Sequence, residues 1–168
     1  MSKDLPIAKS PGNAAETIVF GIGNCGRSDD GLGWAFIDRL QEETAFRGQF
    51  EYRYQLQVED AALISNARQV VFVDSYHGSL PNGFQLVRCE PSREFEFTTH
   101  VLPPEAVLSL CRDLYGSVPH ADVLMMQGNS WDLQTGMSPD AARHLENALQ
   151  YFRDEWPGEV LRTAGTSK

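Results

Sequence analysis

The sequence is poor in cysteine, poor in basic residues and free of long apolar runs, and each shortage excludes a class of protein. Its cysteines, Cys25, Cys89 and Cys111, are odd in number and lack Cys-x-x-Cys spacing, which argues against a disulfide framework or zinc knuckle and predicts a reducing, cytoplasmic location. Fourteen Lys and Arg against 23 Asp and Glu give a net charge of −9, which argues against nucleic acid or a membrane as the main partner. No run approaches the roughly 18 apolar residues of a membrane span, and we expect no signal peptide.

Two common hydrolase signatures are absent as well. The sequence contains neither HExxH nor GxSxG, so the usual zinc and serine hydrolase routes lack support. What is present is the composition of one globular domain, with 168 residues of which 42% are hydrophobic and 22% charged. A chain of this length can bury a core without a metal or disulfide. We expect a flexible N-terminus over residues 1–15, a single α/β domain over 16–155 and a flexible tail over 156–168.

Apolar runs and helical stripes alternate along the central part and predict a three-layer α/β sandwich. Strands are predicted at 17–21, 50–58, 70–73, 84–87 and 123–126, and helices at 28–45, 59–67, 103–115 and from 139, with Ser28 and Ser138 as N-caps. The strand at 84–87 follows Asp74 after nine residues, which is too short for a parallel crossover, so we expect it to run antiparallel. The result is a mixed, mostly parallel sheet of about five strands with helices on both faces.

The segment Gly21-Ile-Gly-Asn-Cys-Gly26 matches the GxGxxG pattern of dinucleotide-binding sites. A dinucleotide places its pyrophosphate at the N-terminus of the following helix, where positive potential is needed. Here Asp29 and Asp30 bring two negative charges to that position, so we regard the match as misleading. Taken alone, the two acids are also typical of an ordinary helix start, where they interact favourably with the helix dipole.

Two carboxylates are predicted to meet at one edge of the sheet. Asp30 follows the first strand and Asp74 ends the third; if these strands are neighbours, both side chains lie in the crevice where open α/β sheets bind ligands. Because like charges repel, such a pair favours a cation or a shared proton between them. His100 can reach the same edge, since residues 89–99 can span roughly 36 Å. An Asp, Asp, His set suits a divalent ion such as Ni²⁺, Zn²⁺ or Fe²⁺.

A longer pattern around the glycines is more specific. Gly21-x-Gly23-Asn24, followed by Asp29-Asp30-Gly31-x-Gly33, resembles the opening signature of the hydrogenase maturation endopeptidases, which trim the C-terminal extension from the large subunit of nickel-iron hydrogenases. The resemblance covers about residues 17–152, and its further matches are Asp74, His100, Gln127 and the Gly136-Met-Ser138 segment. It differs from the family at 55–60, where many relatives have an Asp-Gly-Gly-Thr-like turn, and at Gly128, where proline is common.

The resemblance implies a function and a set of site residues. It implies that Asp30, Asp74 and His100 are both the catalytic and the metal-contacting residues, and that they recognise nickel already inserted in the precursor. Ni²⁺ would then be carried by the substrate, with no permanent cofactor of the protein's own. The implied partner is the hydrogenase large-subunit precursor; the sequence does not fix the oligomeric state, for which we favour a monomer. The nucleophile is left open between a metal-polarised water and a water activated by a carboxylate base.

The sequence is also compatible with two other hypotheses. Cys25 lies in a glycine-rich turn near a helix N-terminus, which suits a cysteine hydrolase that uses Cys25, His100 and Asp74. The other hypothesis is a non-catalytic nucleotide- or metal-binding α/β module. His77, three residues beyond Asp74, is a rival to His100 as a ligand. Trp131 is interpreted as a packing residue that could also help to grip a peptide.

Overall fold

A five-stranded mixed sheet lies at the centre of the computed structural model, which describes residues 16–43, 46–94 and 101–156. The strands are β1 (Thr17–Ile22), β2 (Gln49–Arg53), β3 (Gln69–His77), β4 (Phe84–Cys89) and β5 (His120–Gly128), in the order β2-β1-β3-β5-β4. The pairings are parallel except that β4 runs antiparallel to β5. The predicted mixed, mostly parallel sheet is confirmed, including the direction of β4.

Helices cover both faces of the sheet. In the described part of the chain they are α1 (Leu32–Glu42), α2 (Asp60–Ile64), α3 (Pro104–Tyr115) and α4 (Pro139–Asp154). Successive residues of a strand point to opposite faces, so Val71 packs in the core beneath α1 and α4, whereas Phe72 packs in the core beneath α2 and α3. The predicted three-layer arrangement is confirmed.

All five strands end at residues other than the predicted ones, and two of these ends differ by four or five residues. The second strand ends at Arg53 rather than at 58, where the Arg53 guanidinium pairs with the buried Asp60 carboxylate at 2.9 Å. The third strand continues to His77 rather than ending at 73, because β5 pairs with it as far as His77 opposite Gly128. This longer strand carries Asp74 inside the sheet instead of at its end.

The start of the first helix also differs from the prediction. A short 3-10 turn spans Ser28–Gly31, and the α-helix begins only at Leu32. Ser28 has a φ of 49° and does not cap the helix; the prediction of this N-cap is wrong. By contrast, the Ser138 hydroxyl accepts a hydrogen bond from the Ala141 backbone N–H at 3.2 Å, so the predicted cap of α4 is confirmed.

The packed region extends at its C-terminal end as far as Trp156. This residue, the first of the predicted tail, is buried and stacks on Phe152 with ring centroids 4.3 Å apart. The remainder of the predicted tail, 157–168, and the predicted N-terminal segment, 1–15, lie outside the described residues. Within the described ranges, no helix has the length and apolar character needed to cross a membrane.

Candidate functional site

The glycines after β1 allow α1 to approach the sheet closely. Gly23 has a φ of 140°, and a Cβ built on it would lie 1.9 Å from the Asp30 carbonyl oxygen. A Cβ on Gly33 would lie 2.4 Å from the Ile22 carbonyl oxygen and 2.6 Å from that of Val73. In a dinucleotide-binding site, the glycines leave room for the pyrophosphate to approach the backbone. Here carbonyl groups of the chain itself occupy the room that the missing side chains leave. This geometry supports the prediction that the GxGxxG match is misleading.

We expect Gly23→Ala to lower the free energy of unfolding by about 2–4 kcal/mol, because the new Cβ meets backbone and the φ is unfavourable for alanine. Gly26→Ala is the matched control, since its Cβ would meet only the Asn24 side-chain oxygen at 3.2 Å. Its effect should stay within about 1 kcal/mol. Urea unfolding of both variants measures the difference, and equal losses would contradict this explanation of the glycine pattern.

A cleft just beyond the carboxyl end of β1, beside Asp74 in β3, brings Asp30 and Asp74 together. The two strands are hydrogen-bonded neighbours, and the cleft has a volume of about 370 Å³. Besides the two acids, it is lined by Ile22, Gly23, Tyr54, Gln55, Leu56, Val101, Leu102, Pro103 and Pro104. The predicted meeting of the two acidic side chains is observed, whereas their chemical role stays a prediction.

Ser75 links the two carboxylates. Its backbone N–H donates to Asp74 Oδ1 at 2.8 Å, and its hydroxyl donates to Asp30 Oδ1 at 3.3 Å. Burial, with an added contribution from the negative charge of Asp30, raises the pKa of Asp74 to about 7, although the hydrogen bonds from Ser75 act in the opposite direction. A carboxyl group with this pKa can take up or release a proton near neutral pH. A cation between the two acids would stabilise its ionised form.

His100, the third predicted site residue, lies outside the described residues. The described chain resumes at Val101, which lines the cleft. Over the ranges that the structure describes, no group of three or more His, Cys, Asp or Glu side chains could hold a metal ion. Asp30 and Asp74 therefore need at least one further ligand, from His100 or from a bound molecule, to coordinate a metal.

Neither His77, the alternative metal ligand, nor Cys25, the alternative nucleophile, lines the described part of the cleft. His77 stacks instead on Trp131, with ring centroids 3.4 Å apart and 10° between the ring planes. Cys25 is an exposed free thiol that is also missing from the cleft lining formed by the described residues. Neither the His77 ligand nor the cysteine hydrolase gains support from this geometry.

Asp29 has a role that the sequence did not reveal. It is 0% exposed, and its carboxylate accepts four hydrogen bonds, from the backbone N–H groups of Asn129, Ser130 and Ser138 and from the Ser138 hydroxyl, at 2.7–2.9 Å. Burial acts to raise the pKa of Asp29, but these hydrogen bonds together lower it below its ordinary value. Asp29 thus holds the loop between β5 and α4, and Asp30 is the member of the pair that lines the cleft.

Solved structures share this fold. The hydrogenase maturating endopeptidase HybD from E. coli has a TM-score of 0.65 and 18% identity over 80% of this chain and 88% of that chain. The hydrogenase maturation protease HycI from Thermococcus kodakarensis has a TM-score of 0.59 and 24% identity over 81% and 90% of the two chains. No family model matches the sequence, and a comparison with curated proteins finds no match. At these identities the likeness establishes the α/β fold, and activity has to be argued from the site.

Proposed function

We propose that this protein is an endopeptidase that removes the C-terminal extension of a nickel-iron hydrogenase large-subunit precursor after nickel insertion. The observation that carries the proposal is the meeting of Asp30 and Asp74 in one cleft, which lies beyond the carboxyl end of β1 and beside the neighbouring parallel strand β3. The glycine and aspartate signature and the fold shared with maturation proteases support it. In this proposal the precursor carries the Ni²⁺, the protein keeps no permanent cofactor, and cleavage takes place in the cytoplasm.

The electrostatics of the cleft give a physical reason for the nickel requirement. Without a cation, the burial of Asp74 beside Asp30 favours the protonated carboxyl, whose pKa is about 7. A precursor that brings Ni²⁺ to the cleft offsets the repulsion and is bound by the ionised acids, with His100 as a further ligand. A precursor without nickel lacks this contribution to its affinity.

Peptide hydrolysis consumes one water and yields a new carboxyl group and a new amine. The water can be activated by the substrate's nickel or by Asp74 acting as a general base. In the second route Asp74 accepts the proton of the attacking water and returns it to the leaving amine. The substrate's nickel would lower the pKa of Asp74 from its cation-free value of about 7, which favours the ionised carboxylate that this route requires at its start.

The nickel-loaded precursor is expected to lose a short C-terminal peptide on incubation with the protein, whereas the nickel-free precursor keeps its mass. Mass spectrometry of both precursors measures the result. Cys25→Ala is the control variant and should cleave normally, because Cys25 does not line the described part of the cleft. Loss of cleavage in Cys25→Ala would favour the cysteine hydrolase. No change of mass in either precursor, together with tight nucleotide binding, would favour the non-catalytic module.

A further inference from the structure

The carboxylate of Asp30 is held by a side chain from another element, that of Ser75 in β3. The backbone of Asp30 is fixed, because its N–H donates to the Arg27 carbonyl oxygen and its carbonyl oxygen accepts from the Asn24 N–H, both at 3.0 Å. Within the described ranges, the carboxylate accepts a hydrogen bond only from the Ser75 hydroxyl, at 3.3 Å. The turn therefore sets the position of Asp30, and Ser75 sets the orientation of its side chain.

The sheet holds Ser75 in place. Ser75 lies opposite Met126 in the parallel pairing of β3 with β5, whereas the pairing of β3 with β1 ends at Val73 opposite Gly21. The turn Ser28–Gly31, which carries Asp30, contacts β3. Because β1 has ended before Ser75, this turn can bring Asp30 to the serine hydroxyl.

Ser75 itself does not line the described part of the cleft. Successive residues of a strand point to opposite faces, so the Ser75 side chain leaves β3 on the face opposite Asp74. A substrate in the cleft meets Asp30 and Asp74. Ser75 can therefore influence that substrate only through the two acids that it contacts.

Ser75 engages one oxygen of each carboxylate. Its backbone N–H donates to Asp74 Oδ1 at 2.8 Å and its hydroxyl donates to Asp30 Oδ1, so the Oδ2 atom of each acid accepts no hydrogen bond within the described part of the chain. Two ionised carboxylates repel each other, and an unrestrained pair would rotate apart. Two donors from a single residue oppose this rotation and leave one oxygen of each acid available to a ligand.

We propose that Ser75 is a positioning residue that holds the Asp30 and Asp74 carboxylates in the arrangement that receives the nickel-loaded precursor. This inference rests on the proposed function, because the two acids are the site residues of that function. The hydroxyl can be removed without loss of the backbone hydrogen bond to Asp74. Threonine keeps the hydroxyl and is well suited to a strand, whereas alanine lacks it.

Ser75→Ala should lower kcat/KM for the nickel-loaded precursor about tenfold. A hydrogen bond to a charged group supports a loss of this size, and a bond that is long without substrate often tightens when substrate binds. Ser75→Thr should stay within about threefold of the wild-type value. Ser79→Ala is the matched control, because this serine is exposed and donates no hydrogen bond within the described ranges; its kcat/KM should be unchanged. Urea unfolding shows whether each variant is folded.

NMR of the ligand-free protein, labelled at the aspartate carboxyl carbons, gives a second measurement that does not depend on cleavage. Ser75→Ala should shift the Asp30 signal, which is assigned by its loss in Asp30→Asn, and Ser75→Thr should restore it. The Asp29 signal is the internal reference, since its four hydrogen bonds come from other residues. A serine that serves only the stability of the fold would leave the Asp30 signal unchanged.

The outcomes separate this positioning role from the proposed function. If the wild-type protein cleaves the precursor and Ser75→Ala cleaves it equally well, the positioning role is wrong and the proposed function stands. Equal losses of activity in folded Ser75→Ala and Ser75→Thr would also overturn the role, because the hydroxyl would not matter. If Ser75→Ala does not fold, Ser75→Cys replaces it in both measurements, since a thiol is only a weak donor. If the wild-type protein leaves the nickel-loaded precursor intact, both proposals are wrong.

Discussion

Asp74→Asn is expected to abolish cleavage and to make the folded protein more stable above pH 7. The amide can neither accept a proton from water nor balance the charge of a cation, so we expect kcat/KM to fall by about 10²–10⁴-fold. The expected gain in stability of the variant comes from removing a carboxylate whose burial also gives it the raised pKa. Burial beside Asp30 raises the pKa of Asp74 to about 7, which means that the folded state holds the ionised carboxylate at a cost in free energy.

The sign of the pH dependence follows from that pKa. An unfolded chain has the ordinary aspartate value near 3.8, and the folded protein has about 7. Between these values the folded state binds more protons than the unfolded state, so the stability that Asp74 contributes at low pH is lost as the pH rises through this window. The Asp74→Asn variant does not lose stability in this way, because its amide does not titrate. The advantage of the variant over the wild-type protein should reach on the order of 1–3 kcal/mol at pH 8, and roughly two fifths of that value at pH 5, which lies partway through the window.

Urea unfolding at pH 5 and pH 8 measures the change in stability, and a cleavage assay measures the loss of activity. Glu59→Gln is a suitable control, because it removes one negative charge from an exposed side chain. We expect it to keep both the cleavage rate and the wild-type pH dependence of stability. Full cleavage by Asp74→Asn would remove Asp74 from the site. An equal stability gain at pH 5 and pH 8 would contradict the raised pKa.

The sheet and the meeting of the two acids could be predicted because their signals are local. The short apolar runs at 17–21 and 70–73 mark buried strands, and the nine-residue connection before 84 excludes a parallel crossover. Neighbouring parallel strands necessarily bring their carboxyl ends to one edge. This rule placed Asp30 near Asp74 even though the observed end of β3 lies at His77.

The different roles of Asp29 and Asp30 could not be predicted. Adjacent aspartates are equivalent in the sequence, and both are compatible with a helix start. What separates them is the path of the loop from 129 to 138, whose N–H groups reach Asp29 from about a hundred positions along the chain. The stack of His77 on Trp131 depends on the same loop. No periodicity or spacing rule fixes the path of an irregular loop, so these contacts follow only from tertiary structure.

Asp29→Ala is expected to lower the free energy of unfolding by about 3–5 kcal/mol. The substitution leaves three backbone N–H groups and the Ser138 hydroxyl without their buried acceptor, and each unsatisfied buried donor typically costs about 1–3 kcal/mol, although such losses do not simply add. Asp132→Ala is the control in the same loop, because this exposed carboxylate accepts only a 3.4 Å hydrogen bond from the Ser130 hydroxyl among the contacts of the described residues. Its stability should stay close to that of the wild-type protein. Urea unfolding gives both values; a stable Asp29→Ala protein that no longer cleaves would mean that Asp29 acts in the cleft rather than on the loop.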